Sequence, residues 1–138
     1  MKFKLNKHGI KAYTEILKKR ILYAEKKSME FLWNELYSKT PIRTGAARSS
    51  WNISVNHPNY FFDKNKTSAE FIMPNLKVKD TLIISSGCPY IKILNNGSST
   101  QAPKNFIQIS IVNAKKYFNK LKIKDIDHVL WFYEFCIG

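Results

Sequence analysis

Thr40-Pro41-Ile42-Arg43-Thr44-Gly45-Ala46-Ala47-Arg48-Ser49-Ser50-Trp51 is the stretch that divides this chain into a helical part and a sheet part. Pro41 stops a helix, because the residue before a proline is pushed out of helical geometry. Gly45 admits a turn with positive φ, and Arg48 with Trp51 leads the backbone into an extended segment. A helix therefore ends near Thr40 and a sheet begins near Ser50, which predicts an α+β fold.

Upstream, residues 11–38 carry Tyr13, Leu17, Ile21, Ala24, Ser28, Leu32 and Leu36 at three- and four-residue steps, the stripe of an amphipathic helix. Lys18, Lys19, Lys26, Lys27 and Glu30 lie off that stripe. Such a helix is about 42 Å long, against a radius of gyration of about 14 Å for a compact domain of this size. It is expected to overhang the body. Leu22, Met29, Trp33 and Tyr37 add a second apolar stripe, which either fills the domain's own core or meets another subunit.

Downstream, Ser50-Trp51-Asn52-Ile53-Ser54-Val55 alternates polar and apolar residues like a half-buried strand. Residues 56–66 read as an exposed loop, and residues 69–73 and 81–85 as two further short strands. The connections are too short for helical crossovers, so antiparallel pairing is expected. Residues 105–121 fit a strand by Ile107, Ile109 and Ile111 but a helix by Ile107, Ile111, Ala114, Phe118 and Leu121. The helical pattern covers more residues and ends in lysines suited to the negative end of a helix dipole. The fold read from the sequence is thus a long N-terminal helix, a small antiparallel sheet of three to four strands, a second helix and an aromatic C-terminal tail. Residues 1–138 are expected to form a single domain, with a basic arm over 1–10, a core over 11–121 and an aromatic extension over 122–138.

A chain of 138 residues hides roughly two-thirds of its unfolded surface on folding, so no cofactor is needed to hold it together. Hydrophobic residues make up 44% and aromatic residues 14%, which argues against disorder. The 23 Lys plus Arg against 10 Asp plus Glu give a formal charge of +13, a field that attracts polyanions without choosing among them. Most of these cations are lysines, point charges without the fork that reads bases. No apolar run approaches the ~20 residues of a membrane span, and the lysine-rich start leads into no signal core, so a soluble, unexported chain without membrane partners is expected.

Catalytic chemistry finds no foothold in the sequence. Cys88 and Cys136 are far apart and form no zinc or disulfide pattern. His8, His57 and His128 are scattered, without an H-E-x-x-H or an acidic partner at a telling offset. Asn95-Asn96-Gly97-Ser98-Ser99 lacks the P-loop lysine, and Ser49-Ser50 follow no nucleophile elbow. No catalytic, metal or cofactor residue is assigned, and no enzyme is expected.

A second turn-forming segment, Pro89-Tyr90 through Leu94-Asn95-Asn96-Gly97-Ser98-Ser99 to Gln101-Ala102-Pro103, complements the first. The ordered pattern Thr-Pro-x-x-Thr-Gly-x-x-Arg-x-x-Trp followed by this segment resembles the neck and tail-completion proteins of tailed bacteriophages, of the minor tail protein Z type. The resemblance spans about residues 11–121. It implies a head–tail joining protein, a homo-oligomeric ring of six around the DNA channel. It also implies contacts with connector, head-closure or tail proteins and non-specific contact with genomic DNA. The location implied is the virion, after assembly in the host cytoplasm.

On this reading the turn and docking residues are Thr40, Pro41, Thr44, Gly45, Arg48, Trp51, Tyr90, Asn96, Gly97, Ser98, Ser99, Gln101 and Pro103. Lys115, Lys116 and Lys120 are candidates for facing DNA; Leu22, Met29, Trp33, Trp131, Phe132 and Phe135 are candidates for a subunit interface. Asn95 stands where relatives often carry an acidic residue. The alternative reading is a small basic protein that binds nucleic acid non-specifically.

Overall fold

The computed structural model describes the backbone of residues 7–77 and 79–137, and the side chains of residues 11–77 and 79–121. The chain is a mixed α+β fold. Helix α1 spans Lys7–Lys39, β1 spans Trp51–Val55, β2 spans Leu82–Ser86, α2 spans Ile91–Asn95 and α3 spans Phe106–Ile137. A 3-10 turn over Arg48–Ser50 leads into β1. Helix α1 begins inside the segment expected to be a basic arm, because Ile10 extends the Tyr13, Leu17, Ile21 stripe one step toward the N-terminus. Its 33 residues make a rod about 50 Å long.

Strands β1 and β2 pair antiparallel, Trp51 opposite Ser86 and Val55 opposite Leu82. Residues 69–73, expected as a third strand, join no ladder; among the described residues the sheet has two strands. Side-chain packing replaces the missing backbone bonds. Phe71 tilts against Trp33 with ring centroids 5.7 Å apart, and Ala69 N–H donates to the Tyr37 hydroxyl at 3.4 Å. The stretch thus lies on α1 rather than along a strand.

The core joins the C-terminal end of α1 to everything downstream. Trp33, Leu36, Trp51, Ala102 and Phe106 are its buried members, with Leu32, Ile53, Ile84, Ile91, Leu94 and Ile107 packed around them. Burying a large apolar side chain of this kind contributes about 2–3 kcal/mol. Trp33, a candidate for the subunit interface, is 5% exposed and belongs to this core. It is closed to a second subunit. Leu22 and Met29 are half-buried, and the side chains of Trp131, Phe132 and Phe135 lie outside the described residues.

The helical reading of residues 105–121 holds, and α3 continues beyond it through the segment expected as a tail. The stacking of Phe31 on Tyr117 and the bond from Asn113 Nδ2 to Glu35 Oε2 fix its pairing with α1. Four residues forward in α1 match four residues back in α3, so the two helices run antiparallel. Small residues allow their approach: Ala24, Ala114 and Ser110 are buried, Ser110 completely. Strand propensity of the isoleucines loses here to the stepping of Phe106, Ser110 and Ala114 toward the interior.

The 56–81 connection wraps the sheet. Asn52 and Ser85 stand opposite each other on the face away from the core. Asn52 Nδ2 donates to the carbonyls of Asn59 and Phe61 at 3.0 and 2.9 Å, and Ser85 Oγ both donates to Asn59 O and accepts from Asn59 N–H. This cross-strand pair pins the loop and leaves Tyr60 and Phe61 about two-thirds exposed.

Candidate functional site

Thr40 is the hub that turns the end of α1 into one wall of a cleft. Its hydroxyl donates to Leu36 O at 2.6 Å and accepts from Trp51 Nε1 at 2.8 Å, while Trp33 Nε1 donates to Trp51 O at 3.1 Å. Arg48 closes the helix end. Its Nε and Nη2 reach Thr40 O at 3.2 and 3.1 Å, and Nη2 reaches Ser38 O at 3.0 Å. Ser38 lies in the last turn of α1 and Thr40 just past its end, so neither carbonyl has a partner inside the helix and the guanidinium fork meets an obligatory need. The same guanidinium lies over the Tyr37 ring at 5.4 Å.

Gly45 takes φ +91°, and a Cβ there would sit 2.1 Å from Thr67 O. Only glycine lets the 56–81 connection come this close. Thr44 Oγ1 accepts from Ala46 N–H at 3.3 Å and Ser49 N–H donates to Gly45 O at 2.9 Å, which completes the turn. Thr40, Pro41, Gly45 and Trp51 are all buried. Their work is to shape the loop, and the side chains left for a partner on this wall are Ile42, Arg43 and Thr44.

The second segment forms the facing wall. Gln101 bonds Ile42 reciprocally: its Oε1 accepts from Ile42 N–H at 2.7 Å and its Nε2 donates to Ile42 O at 3.0 Å. A side-chain amide here imitates one rung of a strand ladder across residues far apart in sequence. Ile91 and Leu94 of α2 turn inward, whereas Tyr90 and Ile93 are 38% and 59% exposed. A helix of one and a half turns carries residues three apart on one face, and Ile93 falls on the other.

Asn95 is a residue whose role the sequence did not disclose. It is 8% exposed, and its Oδ1 accepts from Ile107 N–H at 3.0 Å while its Nδ2 donates to Gln108 Oε1 at 2.9 Å. Its backbone carbonyl accepts from Asn105 N–H at 2.7 Å. Asn95 therefore caps the first turn of α3 from outside the helix.

Between these walls lies an open cleft of about 740 Å³. Pro41, Ile42, Ala46, Leu94 and Phe62 give it an apolar floor; Thr44, Ser98, Ser99 and Gln101 supply hydrogen-bonding groups; Arg43 and Lys64 supply charge. Phe62 meets Tyr90 edge-on at 6.3 Å. Burial pushes the Tyr90 hydroxyl up, the neighbouring Cys88 thiol adds to this, and Arg43 pulls it partly back. Burial likewise raises the Cys88 thiol, so it is held protonated. Phe62 and Lys64 come from the 56–81 connection, and the sequence reading assigned neither to the docking loops. The aromatic run Tyr60-Phe61-Phe62 inside a polar loop was the signal available.

The three candidate DNA-facing lysines part company. Lys116 and Lys120, four residues apart, share one exposed face of α3. Lys115 instead lines a second cleft of about 560 Å³ with Glu25, Met29, Asp80 and Phe118. Burial raises the Glu25 carboxyl there, and the Lys77 N–H and Asn56 hold Asp80 below its usual value. No group of three or more residues able to hold a metal ion occurs among the described residues. No helix among them is long and apolar enough to cross a membrane.

No known family model, curated protein or solved structure matches this chain.

Proposed function

We propose that this chain is a structural virion protein of a tailed-phage neck, joining or completing the head–tail interface as a homo-oligomeric ring around the DNA channel. The observation that carries the reading is the reciprocal Gln101–Ile42 pair, which draws the two sequence segments into one docking surface. The architecture suits assembly rather than turnover. A rod-like α1–α3 pair offers apolar residues at the surface, Ile16, Ile21 and Tyr23 on α1 and Ile109 and Val112 on α3, as material for contacts between copies.

In this arrangement Lys116 and Lys120 face the channel and contact the passing genome through charge alone. The protein performs no chemistry and needs no cofactor; it resides in the virion and is assembled in the host cytoplasm. Electron microscopy of the purified protein, alone and in particles carrying a labelled copy, tests the reading. Rings of about six copies located at the head–tail junction are expected from the family resemblance. A protein that stays monomeric with every virion component and never enters particles overturns it. Steep, salt-sensitive DNA binding by such a monomer would establish the nucleic-acid-binding alternative instead.

A further inference from the structure

The cleft between the two loops has a composition that selects its occupant. Its lining includes two cations, Arg43 and Lys64, and no carboxylate. The same lining carries the apolar side chains of Pro41, Ile42, Phe62 and Leu94 and the hydroxyls of Thr44, Ser98 and Ser99. We propose that this cleft binds an extended acidic segment of a neighbouring protein, one that interleaves Asp or Glu with apolar side chains. The inference rests on the assembly reading above and names the chemistry of the partner at its docking loops.

Three physical arguments favour that occupant. First, the lining sets two cations and no carboxylate against an anionic chain, which gives both steering and register. Second, an apolar floor is of no use to a duplex: a rod of DNA cannot enter a cleft of about 740 Å³, and its phosphates have nothing to bury there. A peptide of a few residues has the size, and its apolar side chains gain from the floor. Third, the walls are already fixed. Gln101 occupies both backbone groups of Ile42, and Gly45 is locked against Thr67, so little ordering is required on binding. Because the Ile42 backbone is taken, recognition proceeds through side chains and not by addition of a strand at that point.

Selection of a random dodecapeptide display library on the full-length protein is the direct test. Asp- and Glu-rich sequences with intervening apolar residues are expected, and the enriched peptide, synthesised with a fluorophore, serves as the probe. Arg43→Glu combined with Lys64→Glu should weaken it at least about tenfold. Lys116→Glu combined with Lys120→Glu lowers the formal charge equally, each double change taking +13 to +9, and should leave binding within about twofold. Ser98→Trp, which plugs the cleft without altering charge, should weaken binding as well, and keeps the question open to measurement if the first pair fails to fold.

Selected sequences without acidic enrichment overturn the inference. Equal losses in both charge reversals do so too, since they would mark bulk attraction, as would a random DNA duplex that competes through Arg43 and Lys64. Ring formation is scored on the same preparations. Rings without peptide binding refute the cleft's occupant and leave the assembly reading standing; peptide binding without rings or particle entry does the reverse.

Discussion

Gly45 and Gly97 occupy the two loops that face each other across the cleft, and both take the left-handed backbone, at φ +91° and +89°. Their surroundings differ. A Cβ on Gly45 would collide with backbone, Thr67 O at 2.1 Å, whereas a Cβ on Gly97 would meet nothing nearer than the Lys104 Cβ at 3.3 Å. The same contrast runs through the segments around them. Thr40, Arg48, Ser50 and Trp51 spend their polar groups inside the molecule, on the end of α1, on each other's loop and on Ser86, while residues 96–101 are mostly exposed. One turn signature is architecture and the other is surface.

Substitution can break that comparison in order of cost. Gly45→Ala is expected to be the most damaging, destabilising by about 4 kcal/mol, because strain at positive φ adds to a collision that only movement of the 56–81 connection can relieve. Thermal or denaturant unfolding measures it, and a loss below about 1.5 kcal/mol would show that the Thr67 contact yields easily. Thr40→Val preserves shape but strands the buried Trp51 N–H and removes the cap on Leu36 O. A loss of about 2 kcal/mol is expected, with a change in tryptophan fluorescence as Trp51 loses its partner. Gly97→Ala should cost only about 1 kcal/mol, the left-handed penalty without the collision. If Gly97→Ala proves as harmful as Gly45→Ala, the distinction between the two loops fails.

The smallest expected effects concern charge along the helix pair. Burial alone would raise the Glu35 carboxyl, but the hydrogen bonds from Lys39 and Asn113 outweigh it and hold the group below its usual 4.5. Its contribution is therefore fully present above about pH 4.5 and disappears as pH falls through the lower native value. Glu25, raised by burial, acts in the opposite sense: its contribution is present below its unfolded value and lost as pH rises through the native one. Glu35→Gln should accordingly flatten the acid limb of stability against pH. Glu25→Gln should slightly stabilise the protein at neutral pH. Unfolding midpoints followed from pH 3 to 8, read as about a degree or less per substitution, check both signs.

Pattern and turn chemistry made the frame legible. Pro41 fixed where α1 stops, the Ser50 to Val55 alternation announced β1, and the Ile107, Ile111, Ala114 and Phe118 spacing announced α3 despite its isoleucines. The expected strand over residues 69–73 failed because a short, mostly apolar stretch says nothing about whether a neighbouring strand is in reach. Here α1 lay closer: Trp33 packs against Phe71, and the Tyr37 hydroxyl accepts the Ala69 N–H. Half of the candidate site was legible in the same way. The two loops stood out as turns, but which of their residues would be consumed internally did not. Thr40 and Trp51 read alike with Thr44 and Gln101 as polar or amphipathic turn residues, and only the fold assigns the first pair to burial.

The sequence by itself determined the long first helix, its stop, the antiparallel ribbon, the second helix and the excess of positive charge, because these depend on local spacing and composition. The tertiary structure alone decided that residues 42 and 101 bond across the cleft, that Asn95 caps α3 from outside, and that Lys115 parts from Lys116 and Lys120. The physical reason is that hydrogen-bond satisfaction and charge environment belong to groups distant in sequence. They acquire values only when packing has brought those groups to within about 3 Å of each other.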